Sequence, residues 1–423
     1  MRKSSQIQRL TKRFGSISRF WNIVPIGDLF RERRETSNDT ARYPLHSLTI
    51  EAGIVPKTER YDRTFLLRNE EENEYKLAYP GDFVFNPMNL RFGAIAYSRH
   101  EVVVAVSAYY NTLKPVQDKF DARYLFELLT SHQMIDLYDV VATGSLVEKR
   151  RVHWSELREL LVPLPPLSVQ KKIGAIVGVW NQAIALTEWR IEAARQRKMG
   201  LMQRLLTGRV RFPEFVHSTK RRKTKFGDLP VDWEYVPISK VAKEVNVRNQ
   251  EDRDYPVLSC TKHYGLVDSL EYFGRQIFSD DLSSYRVVKR GQFAYATNHI
   301  EEGSIGYQDL HDVALISPMY TVFETNDRVD DSFLYKVLKT EKYRHIFEIN
   351  TNGTVNRRGS LRWNVFSRIP IPLPSLAEQH RIAAVLQACN REIELLTQKR
   401  DALQQQKKGL MQRLLTGRVR VNV

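Results

Sequence analysis

The sequence GLMQRLLTGRVR occupies Gly200–Arg211 and returns letter for letter at Gly409–Arg420. Two identical segments 209 positions apart in a chain of 423 residues indicate an internal duplication. The repeat is far longer than the roughly 20 to 50 residues of a solenoid unit. We therefore expect two copies of a domain, each followed by a similar connecting segment.

The similarity extends backwards from each closing segment. PLPPL at Pro163–Leu167 aligns with PLPSL at Pro372–Leu376, and Gln170 aligns with Gln379. The earlier segments correspond more loosely, through shared glycine, proline and aromatic positions. Nearly identical connectors suggest one task performed twice, whereas diverged globular parts suggest one fold that presents two different surfaces.

Each connector is predicted to be one long helix. Its prolines favour a helix start, and no proline or turn cluster follows before Gly208 and Gly417, where a glycine stop belongs. Apolar residues recur at alternating spacings of four and three, a heptad stripe that packs in a core or pairs with another helix. Two matched helices in one chain favour mutual, antiparallel pairing. The predicted pairing residues are Ile173, Val177, Trp180, Ile184, Ile382, Leu386, Ile393 and Leu396.

The globular parts are predicted to be mixed α/β (α+β), because short β-type runs alternate with turns and helical stretches. Val102–Val106 and Val313–Phe323 have the composition of buried strands. Phe120–Leu137 and Asp331–Ile349 have the periodicity of amphipathic helices. The predicted fold is thus two such domains joined by an antiparallel coiled coil, with a pseudo-twofold internal repeat.

The predicted boundaries follow from the repeat. They are a basic N-terminal segment (1–15), a first globular domain (16–160), a first helical region (161–211), a basic linker (212–223), a second globular domain (224–369) and a second helical region (370–423). The N-terminal segment superficially resembles a transit peptide, but a basic helix of the mature protein explains it equally well and is preferred. Gln8–Thr11 echoes Gln203–Thr207, which suggests a partial third connector end.

Composition narrows the class of partner. Lys and Arg number 65 against 49 Asp and Glu, a formal charge of +16, which favours a polyanion such as nucleic acid. The two cysteines, Cys260 and Cys389, lie far apart, which disfavours a disulfide scaffold or a zinc site and fits a reducing cytoplasm. No stretch approaches the roughly 18 apolar residues of a membrane span.

Polar, basic turn clusters recur at equivalent places in the two copies. Arg and Asn match the edges of guanine and adenine, whereas Lys and Thr mostly hold phosphates. A solvated loop is the alternative for any single cluster, and the linker lysine and arginines could also simply stay solvated. The candidate DNA-binding residues are Asn86, Asn89, Arg91, Ser145, Lys149, Arg150, Arg151, Lys220, Arg221, Arg222, Asn298, His299, Thr354, Asn356, Arg357 and Arg358.

Taken together, these features resemble the specificity (S) subunit of type I restriction–modification enzymes. The resemblance covers almost the whole chain and rests on the P-x-P-L-x-x-Q helix entry and the LMQ-x-LLTG-x-x-R close. The entry is PLPPLSVQ at Pro163–Gln170 and PLPSLAEQ at Pro372–Gln379. The first copy has Val169 where the family commonly has an acidic residue, which Glu378 supplies in the second copy.

The resemblance implies a non-catalytic reader of double-stranded DNA. Each domain would recognise one half of a bipartite, asymmetric target, and the helices would fix the spacer and dock two methyltransferase (M) subunits. S-adenosylmethionine would then belong to the M subunits. Restriction (R) subunits, with ATP and Mg²⁺, would join through the assembly of two M subunits and one S subunit. No catalytic, cofactor-binding or metal-binding residues are expected in the chain itself.

Two alternatives belong to other functional classes. One is a methyltransferase or nuclease with its own active site, but Asn86–Asn89 lacks the second proline and the aromatic residue of an adenine methyltransferase pocket. No GxxxxGK[ST] loop occurs, and the E-x-K triplet at Glu74–Lys76 has no preceding Pro-Asp. The other is a coiled-coil scaffold whose DNA binding would be nonspecific and weakened by salt.

Overall fold

The computed structural model describes residues 2–15, 17–57, 74–116, 118–146, 150–250, 253–351 and 359–422. The chain divides into two compact units, each described here by itself. Unit 1 comprises Met1–Trp189 and Thr397–Val423, and unit 2 comprises Arg190–Leu396. Each unit thus contains one globular domain, the beginning of the long helix that follows it and the end of the other long helix.

The helices of the described residues include two that are much longer than the rest. The two long helices have 39 residues each. The helices are α1 (Arg2–Phe14), α2 (Ala122–Leu129), α3 (His132–Val141), α4 (Trp154–Leu157), α5 (Leu167–Leu205), α6 (Ser269–Phe273), α7 (Asp331–Leu338), α8 (Glu341–Thr351), α9 (Trp363–Phe366) and α10 (Leu376–Leu414).

Unit 1 contains three sheets in its described residues. A two-stranded sheet pairs β1 with β11, a four-stranded sheet has the order β2-β10-β7-β8, and a five-stranded sheet has the order β3-β6-β9-β4-β5. The strands are β1 (Asn22–Pro25), β2 (Phe30–Arg33), β3 (Thr36–Ser37), β4 (Leu45–Thr49), β5 (Gly53–Pro56), β6 (Tyr75–Ala78), β7 (Phe83–Phe85), β8 (Ile95–Tyr97), β9 (Val104–Val106), β10 (Asn111–Pro115) and β11 (Leu161–Leu164).

Unit 2 repeats this plan and adds a hairpin, β12-β13, at its beginning. A two-stranded sheet pairs β14 with β23, and two four-stranded sheets have the orders β15-β22-β19-β20 and β17-β16-β21-β18. The strands are β12 (Arg221–Thr224), β13 (Gly227–Pro230), β14 (Glu234–Pro237), β15 (Ala242–Val245), β16 (Val257–Thr261), β17 (Gly265–Asp268), β18 (Arg286–Lys289), β19 (Phe293–Ala296), β20 (Ile305–Tyr307), β21 (Val313–Ile316), β22 (Tyr320–Thr325) and β23 (Pro370–Leu373).

The mixed pairing of strands confirms the predicted α+β class and the duplication. In each unit one parallel contact interrupts otherwise antiparallel sheets, β4 with β9 in unit 1 and β16 with β21 in unit 2. The helices repeat as well, since α2 and α7 have eight residues each and begin 209 positions apart.

The two long helices run antiparallel where they touch within each unit. In unit 1, Ile173 and Val177 near the start of α5 share one hydrophobic core with Leu414 at the end of α10. In unit 2, Ile382 and Leu386 near the start of α10 share a core with Leu205 at the end of α5. Because start meets end in both units, the prediction of two long antiparallel helices is confirmed.

The other predicted pairing residues are less enclosed. Trp180 and Ile184 on α5 are half-buried, as are Ile393 and Leu396 on α10. The apolar stripe is therefore deep where a domain packs against the helices, and it is deep again at Ile191 and Ala194 on α5, which are each 3% exposed.

Three predicted elements are wrong in detail. Phe120–Leu137 and Asp331–Ile349 each form two helices instead of one, because Ser131 caps the start of α3 and the Thr340 hydroxyl accepts from Tyr343 N–H in α8 (3.4 Å each). Val313–Phe323 forms two strands, β21 and β22, with a turn between them. Apolar periodicity continues across these breaks, so it conceals them.

The two basic segments that precede the globular domains, the linker and the N-terminal segment, also contain regular secondary structure. The predicted linker 212–223 ends in β12, so its last residues belong to a hairpin. The N-terminal segment forms α1, whose Leu10 and Phe14 are buried in the core of unit 1 together with Leu414. Among the described residues, no helix is both long enough and apolar enough to cross a membrane.

Candidate nucleic-acid interface

A buried glutamine fixes the start of each long helix to its domain. The main-chain N–H of Asp121 donates to Oε1 of Gln170 (2.9 Å), and Nε2 of Gln170 donates to the carbonyl of Pro165 (2.8 Å). Asp121 itself caps the start of α2. The glutamine of the P-x-P-L-x-x-Q entry therefore joins the first turn of α5 to the cap of α2.

The same contacts recur in unit 2. The N–H of Asp330 donates to Oε1 of Gln379 (2.8 Å), whose Nε2 donates to the carbonyl of Pro374 (2.9 Å). Asp330 caps α7 in the same way that Asp121 caps α2. We call this pair of hydrogen bonds the glutamine clamp. It explains why both copies have a glutamine at the end of the P-x-P-L-x-x-Q pattern.

A glycine in left-handed conformation ends each long helix against a tryptophan. Gly208 has φ of +61° and Gly417 has φ of +71°. A Cβ on Gly208 would lie 3.1 Å from the ring of Trp233, and one on Gly417 would lie 3.2 Å from the ring of Trp21. The predicted glycine stops are confirmed, and each one seats the helix end on the beginning of a domain.

A buried ion pair secures this junction in unit 2. Glu378, 1% exposed, accepts from Nε and Nη2 of Arg211 (2.8 and 2.9 Å) and from Nε1 of Trp233 (3.0 Å). Arg211 also donates to Asp232 (2.8 Å), and this hydrogen bond lowers the pKa of the Asp232 carboxyl below its usual value. These contacts explain why the second copy has an acidic residue, Glu378, directly before Gln379.

Three polar segments converge in unit 1. The turn that follows β7 contains Asn86 and Asn89, and the N–H of Val152 donates to the carbonyl of Pro87 (2.9 Å). That bond places the end of the α3–α4 loop beside the turn. The β9–β10 turn is the third segment, because Asn111 pairs with Phe85 at the end of β7.

Two candidate arginines of unit 1 are engaged with the protein itself. Arg91 and Arg150 both contact the Asp139 carboxylate on α3 (3.4 Å each). Arg150 also donates to the carbonyls of Asp139 and Ala142 at the end of that helix. Arg150 thus fixes its loop to the end of α3, and Arg91 links the turn after β7 to the same helix.

The remaining candidates of unit 1 lie around the same loop. The main chains of Thr143 and Arg151 form an isolated bridge that closes the loop at its base. Ser145 and Asn89 are exposed. Lys149 lies outside the described residues.

The corresponding segments converge in unit 2. The N–H of Leu361 donates to the carbonyl of Thr297 (2.9 Å), and the Thr297 hydroxyl donates to the carbonyl of Met319 in the β21–β22 turn (3.0 Å). Asn298 is half-buried and His299 is exposed. The candidates Thr354, Asn356, Arg357 and Arg358 lie outside the described residues.

His299 lies beside two acidic residues of this turn, Glu301 and Glu302. His299 Nδ1 lies 3.2 Å from Glu302. Among the residues that the structure describes, His299, Glu301 and Glu302 form a group whose potential ligand atoms lie within 4.8 Å of one another, near the surface.

Burial raises the pKa of the Cys260 thiol to about 12, so this thiol is not a nucleophile at neutral pH.

Of the three candidate basic residues at the β12 hairpin, the two arginines donate hydrogen bonds to main-chain carbonyls and the lysine is exposed to solvent. Arg221 donates to the carbonyls of Thr207 and Gly208 (3.0 and 2.7 Å) and so caps the end of α5. Arg222 donates to the carbonyl of Trp233. Lys220 is exposed. The two arginines therefore stabilise the helix junction in addition to adding positive charge.

Sequence reasoning missed several residues of the converging turns and junctions. Tyr109 and Met319 are exposed at the tips of the β9–β10 and β21–β22 turns. The two positions are equivalent, since each stands three residues after β9 or β21, but an exposed aromatic residue or methionine gives no sequence signal of a place in the interface. Glu378 and Arg211 were quoted as parts of repeated segments, but nothing in the sequence indicates that they pair across 167 positions.

The chain matches known proteins of one family over most of its length. The sequence profile described as "Type I restriction modification DNA specificity domain" matches residues 20–195 and again residues 230–405. A protein of Methanocaldococcus jannaschii with the name "Putative type I restriction enzyme MjaX specificity subunit" is 23% identical over 96% of this chain and 95% of its own length. The MjaVIII specificity subunit of the same organism is 29% identical over 62% of each chain.

Two solved structures have a similar fold. One comes from work on complex assembly and conformational transition of the type I R-M system, with a TM-score of 0.54 and 15% identity, covering 95% of this chain and 99% of that chain. The other is the S subunit of a type I restriction–modification system from M. genitalium, with a TM-score of 0.54 and 13% identity, covering 95% and 96%. At these identities the likeness concerns the fold alone.

Proposed function

Because the chain belongs to the type I restriction–modification DNA specificity family, we propose that each of its two recognition domains reads one half of a bipartite, asymmetric target. The observation that carries this proposal is a difference at equivalent turns. After β7 the chain has Met88, Asn89 and Arg91, and after β19 it has Asn298, His299 and Glu301 at the same positions. One scaffold with two sets of hydrogen-bonding groups suits two unlike half-sites.

The long helices set the spacer between the half-sites in this proposal. Each has 39 uninterrupted residues, which at 1.5 Å per residue is about 60 Å of rod. A rigid connector makes half-site separation a geometric consequence of protein length. Inserting one helical turn into both helices should lengthen the spacer and leave each half-site unchanged.

Partner subunits supply the chemistry. The helices dock two M subunits that carry S-adenosylmethionine, and R subunits with ATP and Mg²⁺ join through that core. In this proposal the assembly works on DNA in the cytoplasm, a location that the widely separated Cys260 and Cys389 fit. Support for a protein partner comes from α5, where Val179, Leu186 and Trp189 are each more than half exposed. Exposed apolar side chains at such spacing on one helix are typical of a protein-binding surface.

Mapping of modified bases in DNA from cells that express this chain with its M partner tests the proposal. We expect one modified sequence made of two short half-sites separated by a fixed spacer. Replacing residues 16–160 by the first domain of another specificity subunit should change one half-site only. Change in both halves, or modification without sequence preference, would contradict the assignment of one half-site to each domain.

The alternative functions predict other results. A chain with its own active site would methylate DNA with S-adenosylmethionine, or cleave it with Mg²⁺, in the absence of any partner. A nonspecific scaffold would bind all duplexes alike and lose affinity steeply with salt. We expect no turnover by the isolated chain and preferential binding of the mapped target over a scrambled duplex when the M subunits are present.

A further inference from the structure

The two units differ where the recognition domain meets the helix pair. In unit 1 the carboxylate of Glu127, on α2, accepts from Nζ of Lys407 on α10 (3.0 Å) and from Nδ2 of Asn181 on α5 (3.2 Å). The Glu127 side chain is 10% exposed and that of Lys407 is 22% exposed. One carboxylate therefore ties the domain to both long helices.

This contact spans an opening rather than a packed core. Glu127, Asn181 and Lys407 line a groove of about 600 Å³ between α2, α3 and the two long helices. Few apolar contacts are made across a groove, so the hydrogen bonds of Glu127 help to hold the domain against the two helices. We call the Glu127–Lys407–Asn181 contact the latch.

The repeat places two lysines at the corresponding positions of unit 2. With the offset of 209 that relates α2 to α7 and α5 to α10, Glu127 corresponds to Lys336 and Lys407 corresponds to Lys198. Nζ of Lys336 donates to the hydroxyl of Ser332 on its own helix (2.7 Å). Burial lowers the pKa of Lys336, Asp330 opposes this change, and the charge of Lys198 adds to it.

The electrostatic interaction between domain and helix pair therefore differs between the two units. A partly buried carboxylate–ammonium pair with a second hydrogen bond is attractive, since both partners are shielded from water and charge-assisted hydrogen bonds are the strong ones. In unit 2 a lysine stands at the place of Glu127, so this link is missing: the charge of Lys198 disfavours the charged form of Lys336, and Asp330 offsets that effect. Ile173 in unit 1 and Ile382 in unit 2 are each buried in the core of their unit, so the apolar packing of the two helix starts is alike and the difference concerns charge.

We infer that Glu127 is a positioning residue that latches the first recognition domain onto the helix pair, and that the second domain, with Lys336 facing Lys198, opens more readily from the helices of its unit. The structural part of this inference concerns the protein alone. Its consequence for DNA rests on the proposed function: the first half-site is read from a fixed position and the second from an adjustable one.

Hydrogen exchange of the full-length protein, followed by mass spectrometry, tests the structural part. Glu127→Lys should speed exchange in α2 by about tenfold, the factor that corresponds to loss of one charge-assisted hydrogen bond. The double variant Glu127→Lys with Lys407→Glu should restore slow exchange, because the pair is rebuilt with its charges reversed. Glu159→Lys, an exposed residue of the same domain with the same change of charge, is the matched control and should leave α2 unchanged.

Lys336→Glu provides the second variant. It should create the missing attraction to Lys198 and slow exchange in α7, which loss of a merely structural lysine would not do. Failure of the double variant to recover α2, together with unchanged or faster exchange in α7 of Lys336→Glu, would overturn the inference.

The consequence for DNA is measured separately. With the M partner present, Lys336→Glu should narrow the range of spacer lengths that are modified, whereas Glu127→Lys should widen it. If no bipartite target exists, the proposed function fails while the exchange results stand. If the target exists and spacer tolerance does not respond to either variant, the assignment of Glu127 as a positioning residue is wrong.

Discussion

The two helix ends are built on one backbone plan but are held by different chemistry. In unit 2, Arg211 lies between the carboxylates of Glu378 and Asp232. In unit 1 the corresponding arginine is Arg420, which lies over the ring of Phe20 (5.4 Å). Both carboxylate positions are thus apolar in unit 1, where Phe20 corresponds to Asp232 and Val169 corresponds to Glu378.

This difference teaches how a duplicated domain diverges without losing its fold. A buried carboxylate is tolerated only with a partner that neutralises it, so the two carboxylates and the network around the arginine change together. The glycine, the tryptophan and the buried glutamine remain because they fix backbone geometry. Predictions that separate these two classes of residue therefore test the comparison.

The largest effect is expected from breaking the ion pair of unit 2. Glu378→Ala leaves the guanidinium of Arg211 and the indole N–H of Trp233 without their buried acceptor, so it should lower the free energy of unfolding by about 3–5 kcal/mol. Denaturant-dependent hydrogen exchange of the first turns of α10 measures this change.

The matched control lies in the other unit. Val169→Ala removes part of an apolar side chain at the equivalent position and should cost about 1 kcal/mol in the first turns of α5. Equal losses in the two units would show that the ion pair is dispensable and that the comparison is mistaken.

The next effect should be the same in both units. Gln170→Ala and Gln379→Ala each leave the N–H of an N-cap aspartate and a proline carbonyl unpaired, so each should lower the free energy of unfolding by about 1–3 kcal/mol. Thermal and denaturant unfolding of the two single variants measures it. A loss confined to one unit would mean that the clamp is not a shared feature of the scaffold.

A smaller effect is expected at the glycine stops. Gly208→Ala and Gly417→Ala place a Cβ on left-handed backbone, which costs about 1–2 kcal/mol. The close approach of that Cβ to Pro230 (2.6 Å) in the first variant and to Ser18 (2.8 Å) in the second adds to this cost. Gly178→Ala, inside α5 with no atom within 4 Å of its would-be Cβ, is the control and should be neutral or stabilising. Destabilisation by the control alone would contradict the assigned conformations.

The smallest effect is expected in the pH dependence of stability. The hydrogen bond from Arg211 holds the pKa of Asp232 below its usual value of 3.8. The stabilisation that ionised Asp232 provides is fully present above pH 3.8 and is lost as the pH falls towards the lowered pKa of this carboxyl in the folded protein. Between pH 5 and pH 3 the exchange of β14 should therefore rise more in the wild type than in Asp232→Asn. Parallel pH profiles would show that Asp232 does not contribute.

Much of the scaffold follows from the sequence because its signals are local. Repetition of GLMQRLLTGRVR predicts two units, and prolines and glycines place α5 and α10 within about two residues of their ends. Helix breaks at Ser131 and Thr340 escape detection, because capping hydroxyls are common in sequences and apolar periodicity runs past them.

The interface is less predictable because its contacts are distant in sequence. Arg150 resembles a free basic residue until Asp139 and the end of α3 are placed beside it. Arg221 resembles part of a charged linker until it is found to cap α5. The partners of Glu127 lie on both long helices, and those of Glu378 lie beyond the end of α5, so only the fold brings them together.

The central claim is that two diverged domains on one repeated scaffold each read half of the target. It is tested most directly by replacing residues 16–160 with a second copy of residues 224–369 and mapping the bases that the M partner then modifies. The account predicts that one half-site disappears and the other occurs twice, in inverted orientation because the helices run antiparallel. A target that stays asymmetric, with the original first half-site still present, would contradict it.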